Sequence, residues 1–415
     1  MTDATRPGSL WRNRDYLLLW SGQIVSTVGT GVSGIAMPLL ILALTGSPAA
    51  AGVAGMLVTI PYVVFSLPAG ALVDRWDRKR VMIICDAVRA CAFASIPLAV
   101  FLNALTVWQL YAVALVEGTF FVFFNLAEVA ALPRVVTTVQ LPAATAQNLA
   151  TQSVAGLVGP GLGGWLFESI ARSAPFGADA VSYAVSVLSL LTIRTRFQGV
   201  KAAAPRNLRA EIKEGLIWAW RDPLIRFTAF LSGGTNFVFM GTSLLLIVLA
   251  QSLHADAAAI GTMFSAGAAG SVAGALVAQW VAGRFGVGQI VIVTTIADAL
   301  LFPLYAVAPD VVTLAVLTSL LFLLAPIYSV AVLSYRLALT PDALQGRVNS
   351  AVRLVAFGFQ PLGSLVAGVL LERAGTGPTI AVLAAVLIAL ALGALLNPDL
   401  RRAPAAPADA ADAAP

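Results

Sequence analysis

Twelve stretches of roughly 20 mainly apolar residues fill most of this chain, and a bilayer core needs about that length of helix to be crossed. They cover 16–44, 49–73, 81–102, 108–132, 148–168, 176–194, 226–250, 259–282, 289–308, 311–335, 350–371 and 378–396. Lipid offers no partner to a backbone N–H or C=O, so segments of this kind fold as helices. Composition agrees: 11% of the residues are charged and the mean hydropathy is +0.89, whereas a soluble domain carries about 25% charge. A soluble globule of this length is excluded.

The chain also repeats itself. Ala69–Trp76 reads AGALVDRW and Ala273–Trp280 reads AGALVAQW. Asn148 and Pro160 recur as Asn349 and Pro361 with the same separation. Two homologous halves of six spans each are the architecture of a two-bundle transporter. The expected organisation is an N-terminal six-helix bundle (1–194), a cytoplasmic linker (195–225), a C-terminal six-helix bundle (226–397) and a disordered cytoplasmic tail (398–415).

Charge sets the orientation. Of 25 Lys and Arg, Arg172 and Arg373 fall in loops of one side, Arg89 lies within a span, and the remaining 22 share the other side with both termini. The positive-inside rule makes that side cytoplasmic. The net charge of +5 then reflects attraction to an anionic inner leaflet, with no nucleic acid implied. Residues 1–15 show no apolar core followed by a cleavage site, so no signal peptide is expected. In the linker, Leu208, Ile212, Leu216 and Trp220 stand four apart beside Arg209 and Lys213, a pattern suited to lying on the inner leaflet.

Enzyme chemistry finds little to work with. The chain has one His, His254, and two Cys, Cys85 and Cys91. The cysteines point about 120° apart on one helix, which argues against a disulfide. No metal site, cofactor or catalytic pair is expected.

The loop after the second span reads Gly70-Ala-Leu-Val-Asp74-Arg75-Trp-Asp77-Arg78-Lys79-Arg80. Here the chain resembles the major facilitator superfamily, whose signature in this loop is G-x-x-x-D-R-x-G-R-K/R. The resemblance extends over nearly the whole chain. It implies an all-α membrane protein, with twelve transmembrane helices in two pseudo-symmetric six-helix bundles around a central cavity. It also implies that Asp74 is held against the start of the eleventh span in one state of the cycle, near 346–350. Gly70 is expected to let helices pack closely. The usual second Gly is Asp77, and the second copy lacks the acid and first base (Ala278, Gln279). A purely topogenic basic loop is the plainer reading.

The fifth span carries Gly156, Gly159, Pro160, Gly161, Gly163 and Gly164. So many glycines let helices approach and bend. The run resembles the superfamily's antiporter motif, G-P-x-x-G-G, which is associated with exporters. An ordinary small-residue packing face is the alternative.

Ionisable groups inside spans are candidate functional residues. Asp86 lies about 8 Å into the third span, with Arg89 one turn deeper and spaced to pair with it. Glu117 and Asp298 each lie about 13 Å deep with no basic residue within a turn. Each of these could carry a coupling proton or be a satisfied structural group. Glu128 is expected to partner Arg75 or Arg78, and Asp179 sits too near the outer surface for a claim. Gln23, Thr27, Asn236, Tyr328 and Gln360 lie near mid-membrane depth, with Phe124, Phe357 and Phe359, and are candidates for a tolerant substrate cavity.

More narrowly, the chain resembles the exporter group that contains macrolide and enterobactin efflux proteins. Arg14-Asp15-Tyr16, Leu19-Trp20-Ser21-Gly22-Gln23, Leu44-Thr45-Gly46-Ser47-Pro48, Leu132-Pro133-Arg134-Val135-Val136 and Gln147-Asn148 carry that resemblance. A first-span acid common in the group is replaced near Gly29-Thr30, and a basic residue near the fourth span's end is replaced by Glu128. The expected function is alternating-access export of a small amphiphilic molecule (a drug, siderophore or secondary metabolite) by proton antiport, from a monomer in the bacterial cytoplasmic membrane. An importer with another coupling ion, or a membrane sensor or scaffold, are the rivals.

Overall fold

The computed structural model describes residues 10–198, 214, 217–218, 220–341 and 344–402. Among them the chain is helical, without strands. In order, the helices are α1 Arg14–Thr45, α2 Pro48–Arg75, α3 Arg78–Phe101, α4 Val107–Val135, α5 Leu141–Ser169, α6 Ala174–Thr192, α7 Pro223–Ser252, α8 Ala257–Arg284, α9 Val287–Leu301, α10 Val311–Leu339, α11 Gln345–Gly358, α12 Gln360–Ala374, α13 Thr376–Leu396 and α14 Pro398–Arg402. This is an all-α major facilitator fold.

Eleven helical stretches among the described residues are long and apolar enough to cross a bilayer. The expected fifth span is a helix, but its Gly, Ser, Thr and Gln content leaves α5 outside that set. Large apolar side chains such as Leu188, Leu276, Val293 and Val312 are exposed. Water would penalise them and lipid would not.

Local chemistry sets the breaks. Gly46 ends α1 in the left-handed region at φ 65°, which costs Gly nothing, and Ser47 caps α2 by accepting from the Ala50 N–H at 3.0 Å. Pro48 follows at the first turn, where its missing N–H is harmless. Asp310 likewise accepts from the Thr313 N–H at 2.7 Å, and these bonds hold its carboxyl below the ordinary value.

Two compact units emerge. Unit 1 is Met1–Ala204 with Asp256–Ser265, and unit 2 is Pro205–Ala255 with Ala266–Pro415. In unit 1, α1 packs on α5 and α6, α2 on α4, and α3 on α4 and α6. In unit 2, α7 packs on α11, α12 and α13, and α9 on α10 and α13. The α8–α10 approach runs through Gly270 and Gly274, where an added Cβ would strike the Ser319 and Leu323 carbonyls. The internal repeat is thus a repeat of packing as well as of sequence.

Several expectations change. The expected eleventh span is one helical stretch, Gln345–Ala374, whose regular bonding lapses at Phe359 although the backbone there stays right-handed helical, and Pro361 follows in the first turn of α12. Its repeat partner Pro160 lies inside an unbroken α5. The expected disordered tail begins with the short helix α14, and 403–415 lie outside the described residues. Most of the linker stripe, including Leu208, Ile212 and Leu216, also lies outside them. Cys85 is buried, whereas Cys91 is exposed, so only the first is a packing thiol.

Candidate functional site

Unit 1 buries a charge network at its centre. Arg89 on α3 donates to Glu117 on α4 through Nε at 2.8 Å and again through Nη2, a two-pronged grip. Its Nη1 reaches Asp86 Oδ1 at 3.4 Å. The expected Asp86–Arg89 pairing is therefore present, and Glu117, which lacks a partner on its own helix, finds one on α3. Asp86, Arg89 and Glu117 are all buried. The Tyr183 hydroxyl on α6 donates to Glu117 at 3.3 Å and shares a 2.8 Å bond with Thr30 on α1. The Arg89 guanidinium also lies 4.1 Å from the Tyr183 ring centre, a cation–π contact in a dry setting. Three helices meet on one guanidinium, and α1 joins the network through Thr30 and Tyr183.

Asp179 is the residue that sequence reasoning passed over. It is fully buried on α6. It accepts from Ser33 Oγ at 2.5 Å and from Ser182 Oγ at 3.0 Å, and lies close enough to Glu117 and Arg89 to feel their charge. A Cβ on Gly29 would stand 2.5 Å from the Asp179 carboxylate. Gly29 thus leaves the room that the α6 acid occupies, at the level where the exporter group has a first-span acid. A signal was available: Asp179, Ser182, Tyr183 and Ser186 form a polar stripe at helical spacing on an apolar helix.

The basic loop ties helix ends together. Asp77 caps α3, accepting from the Arg80 N–H at 3.0 Å, which gives a physical reason for an acid where the family has Gly. Arg78 donates to the Ala130 carbonyl at 2.9 Å and pairs with exposed Asp74 at 3.4 Å. Lys79 donates to the Ile193 carbonyl at 2.7 Å, just past α6, where a cation suits the helix dipole. Arg75 and Arg80 are exposed. Two expectations fail here. A Cβ on Gly70 would meet nothing within 4 Å among the described residues, so Gly70 is not a close-packing glycine, although its copy Gly274 is. Glu128 does not partner Arg78; it accepts from Asn148 at 3.4 Å. The repeat residue Asn349 instead accepts from Arg336 at 2.8 Å. An amide can donate or accept, so one Asn serves an acid in one copy and a base in the other.

The other motif residues join helices near the same ends. Tyr16 donates to Gln147 Oε1 at 2.5 Å, Trp20 to Thr151 at 3.1 Å, and Asn13 to the Val135 carbonyl at 2.7 Å.

On α5, a Cβ at Gly159 would stand 2.8 Å from Gly31 Cα, and one at Gly163 would strike the Val32 carbonyl. A Cβ at Gly164 would strike the Ala257 carbonyl, and Gly161 N–H donates to Ser265 at 3.0 Å. Gly156 is half-buried a turn earlier. The glycine run therefore serves two backbone-to-backbone approaches inside unit 1, to α1 and to the first turns of α8.

Unit 2 contains a cavity of about 470 Å³ lined by Asn236, Asp298 and Tyr328, with Phe239, Phe322 and Tyr305 among its aromatic walls. Of the expected cavity residues, Asn236 and Tyr328 are on its wall, and Gln360 stands behind, donating to Asn236 at 2.9 Å. Gln23 and Thr27 belong to unit 1; Gln23 is buried, and its Nε2 has no hydrogen-bond partner among the described residues.

Comparison with known proteins agrees with this architecture. The family described as transmembrane secretion effector matches residues 7–414. The multidrug efflux pump Tap of Mycolicibacterium fortuitum is 26% identical over 398 residues, covering 93% of this chain and 96% of the relative. The enterobactin exporter EntS of Salmonella typhi is 27% identical over 338 residues, or 80% of each chain. The fold is shared with the crystal structure of nucleoside transporter NupG, at a TM-score of 0.72 and 17% identity, covering 94% of this chain and 100% of that one. It is also shared with a bacterial homolog of the human lysosomal transporter Spinster, at a TM-score of 0.65 and 14% identity, covering 93% and 94%. These relatives are transporters, and the apolar helices make this a multi-pass membrane protein. The chain belongs to the transmembrane secretion effector family of the major facilitator superfamily.

Proposed function

We propose that the protein exports a small amphiphilic molecule from the bacterial cytoplasm by alternating access, driven by proton antiport. The observation that carries this reading is the charge count in unit 1. One buried guanidinium, Arg89, pairs with two buried carboxylates, Asp86 and Glu117, while a third buried carboxylate, Asp179, lies within reach of their charge and is held by serines. Buried charge without compensation is costly, and a proton is the smallest cation that can supply it. Arrival of a proton on Glu117 would loosen its grip on Arg89 and free the guanidinium to lean on Asp86. Tyr183 would carry that change to Thr30 on α1 through its bonds to both. Asp298, the remaining coupling candidate, lies apart on the wall of the unit 2 cavity.

In the same reading, Gly70, Asp74, Arg75, Arg78, Lys79 and Arg80 form the cytoplasmic gating loop, with both termini on that side. The α5 glycines hold the contacts that alternate during the cycle. The monomer works in lipid, without a cofactor. The export direction draws on efflux relatives that match most of this chain. Intact cells loaded with a panel of drugs and siderophores test it. Faster loss of at least one compound from expressing cells, abolished by a protonophore, is expected. Loss unaffected by the protonophore removes the antiport reading, and faster uptake in place of loss removes the direction.

A further inference from the structure

The start of α7 carries a second groove, separate from the unit 2 cavity. It encloses about 400 Å³ and is lined by Trp220, Arg226, Phe227, Phe230, Asn397 and Asp399, all in unit 2. The residues ahead of the helix shape it. Asp222 caps α7, accepting from the Leu224 and Ile225 N–H groups at 2.9 and 2.8 Å, so its carboxylate is committed. Just before that cap, the Trp220 carbonyl accepts from Arg226 Nη1 at 3.3 Å, and the Trp220 ring stands edge-on to Phe230 at 5.6 Å.

Depth sorts these groups. Arg226 stands about 5 Å along α7 from its start, and Phe230 is one turn further, at about 10 Å. Trp220, Arg226 and Phe230 are all exposed. A guanidinium near the membrane surface with aromatic rings a turn deeper matches a phospholipid, whose phosphate lies at the first level and whose acyl chains lie at the second.

Charge narrows the class. Arg226 has no ion pair among the described residues. Arg221 precedes the cap, Arg401 and Arg402 follow Asp399 in α14, and all three are exposed. Against these four cations stand Asp222, committed to its cap, and exposed Asp399. The balance attracts a headgroup of net negative charge, and a guanidinium can hold a phosphate through two N–H groups. Asp399 on the wall repels a second phosphate yet accepts hydroxyls, which favours a glycerol headgroup over one with two phosphates. A comparable pair lies outside the groove: Arg284 stands 5.6 Å from the ring centre of exposed Trp280 at the end of α8.

We propose that this groove binds one phosphatidylglycerol-type lipid of the inner leaflet, its phosphate on Arg226 and an acyl chain along Trp220 and Phe230. This rests on the proposed topology, which puts the start of α7 at the inner leaflet, and not on the export direction or the coupling ion. Binding is measured on purified protein, so it can fail while efflux from cells stands. The full-length protein is stripped of lipid and titrated with phosphatidylglycerol, phosphatidylcholine or phosphatidylethanolamine of the same acyl chains, and native mass spectrometry counts the lipids bound. The first phosphatidylglycerol should bind wild type at least fivefold more tightly than either other lipid. Arg226→Gln should erase that preference, whereas Arg284→Gln should keep it within twofold. Phosphatidylcholine binding should stay within twofold of wild type in both variants, which reports that the proteins are intact. Wild-type preference in Arg226→Gln, an equal loss in Arg284→Gln, or no preference for phosphatidylglycerol in wild type would each overturn the proposal.

Discussion

Gly163→Leu is the substitution whose outcome the packing specifies most sharply. Gly163 faces α1, and the first carbon of any side chain there would strike the Val32 carbonyl and stand 2.8 Å from Ile35 Cγ2. The carbonyl belongs to helix backbone, which cannot rotate away as a flexible side chain can. Leu then adds three carbons beyond the one that already collides. Overpacking of this sort costs about 1–3 kcal/mol, and the backbone collision puts Gly163→Leu at the upper end. For a unit of this size about 1 kcal/mol moves the melting midpoint by roughly 2–4 °C, so a fall of about 6–12 °C is expected in detergent. Two controls grade the effect. Gly161→Ala would place its carbon 3.0 Å from the movable Ser265 hydroxyl, and Gly34→Ala would meet nothing within 4 Å. The expected order of midpoints is Gly34→Ala above Gly161→Ala above Gly163→Leu. Membrane insertion is read by blotting and efflux in intact cells, and the Gly163→Leu protein should insert without exporting. Wild-type midpoint and efflux in Gly163→Leu would refute the close approach of α5 to α1, and with it the main structural support for reading this run as a transport element.

Further expectations concern charge. Arg89→Leu would strand Asp86 and Glu117 without their cation, at about 3–5 kcal/mol. Glu117→Leu leaves a balanced Arg89–Asp86 pair and should cost less, with the double variant well short of the sum. Midpoints of the purified proteins decide, and additive losses would show that the two residues are not coupled. Asp74→Asn weakens an exposed pair with Arg78, worth at most about 1 kcal/mol. It should therefore insert and melt like wild type while transporting more slowly; unchanged transport would remove Asp74 from the gate.

The spans, the duplication and the basic loop were all legible, because lipid and the positive-inside rule act on composition over long windows. Legibility stopped where function depends on which helix a side chain meets. Glu117 looked unpaired because its partner Arg89 is on α3, 28 positions away, and a periodicity argument sees only neighbours on one helix. Asp179 was discounted for its depth along α6, although its burial is set by Gly29 and Ser33 on α1. Glu128 was assigned to a base by charge alone, whereas the geometry gives it an amide. Gly70 and Gly274 occupy equivalent places in the repeat, and only the second touches another backbone. The lapse in bonding at Phe359 was hidden because Pro160 and Pro361 read alike, yet only the second has an irregular residue two positions before it.

The central claim is that the unit 1 carboxylates bind the proton that drives export. Proteoliposomes holding purified protein, with a fluorescent substrate and an imposed pH gradient, measure it directly. Substrate should move opposite to the proton gradient in wild type. At least one of Asp86→Asn, Glu117→Gln and Asp179→Asn should retain substrate binding and exchange while losing its response to the gradient. Gradient-driven movement at the wild-type rate in all three variants would contradict the account.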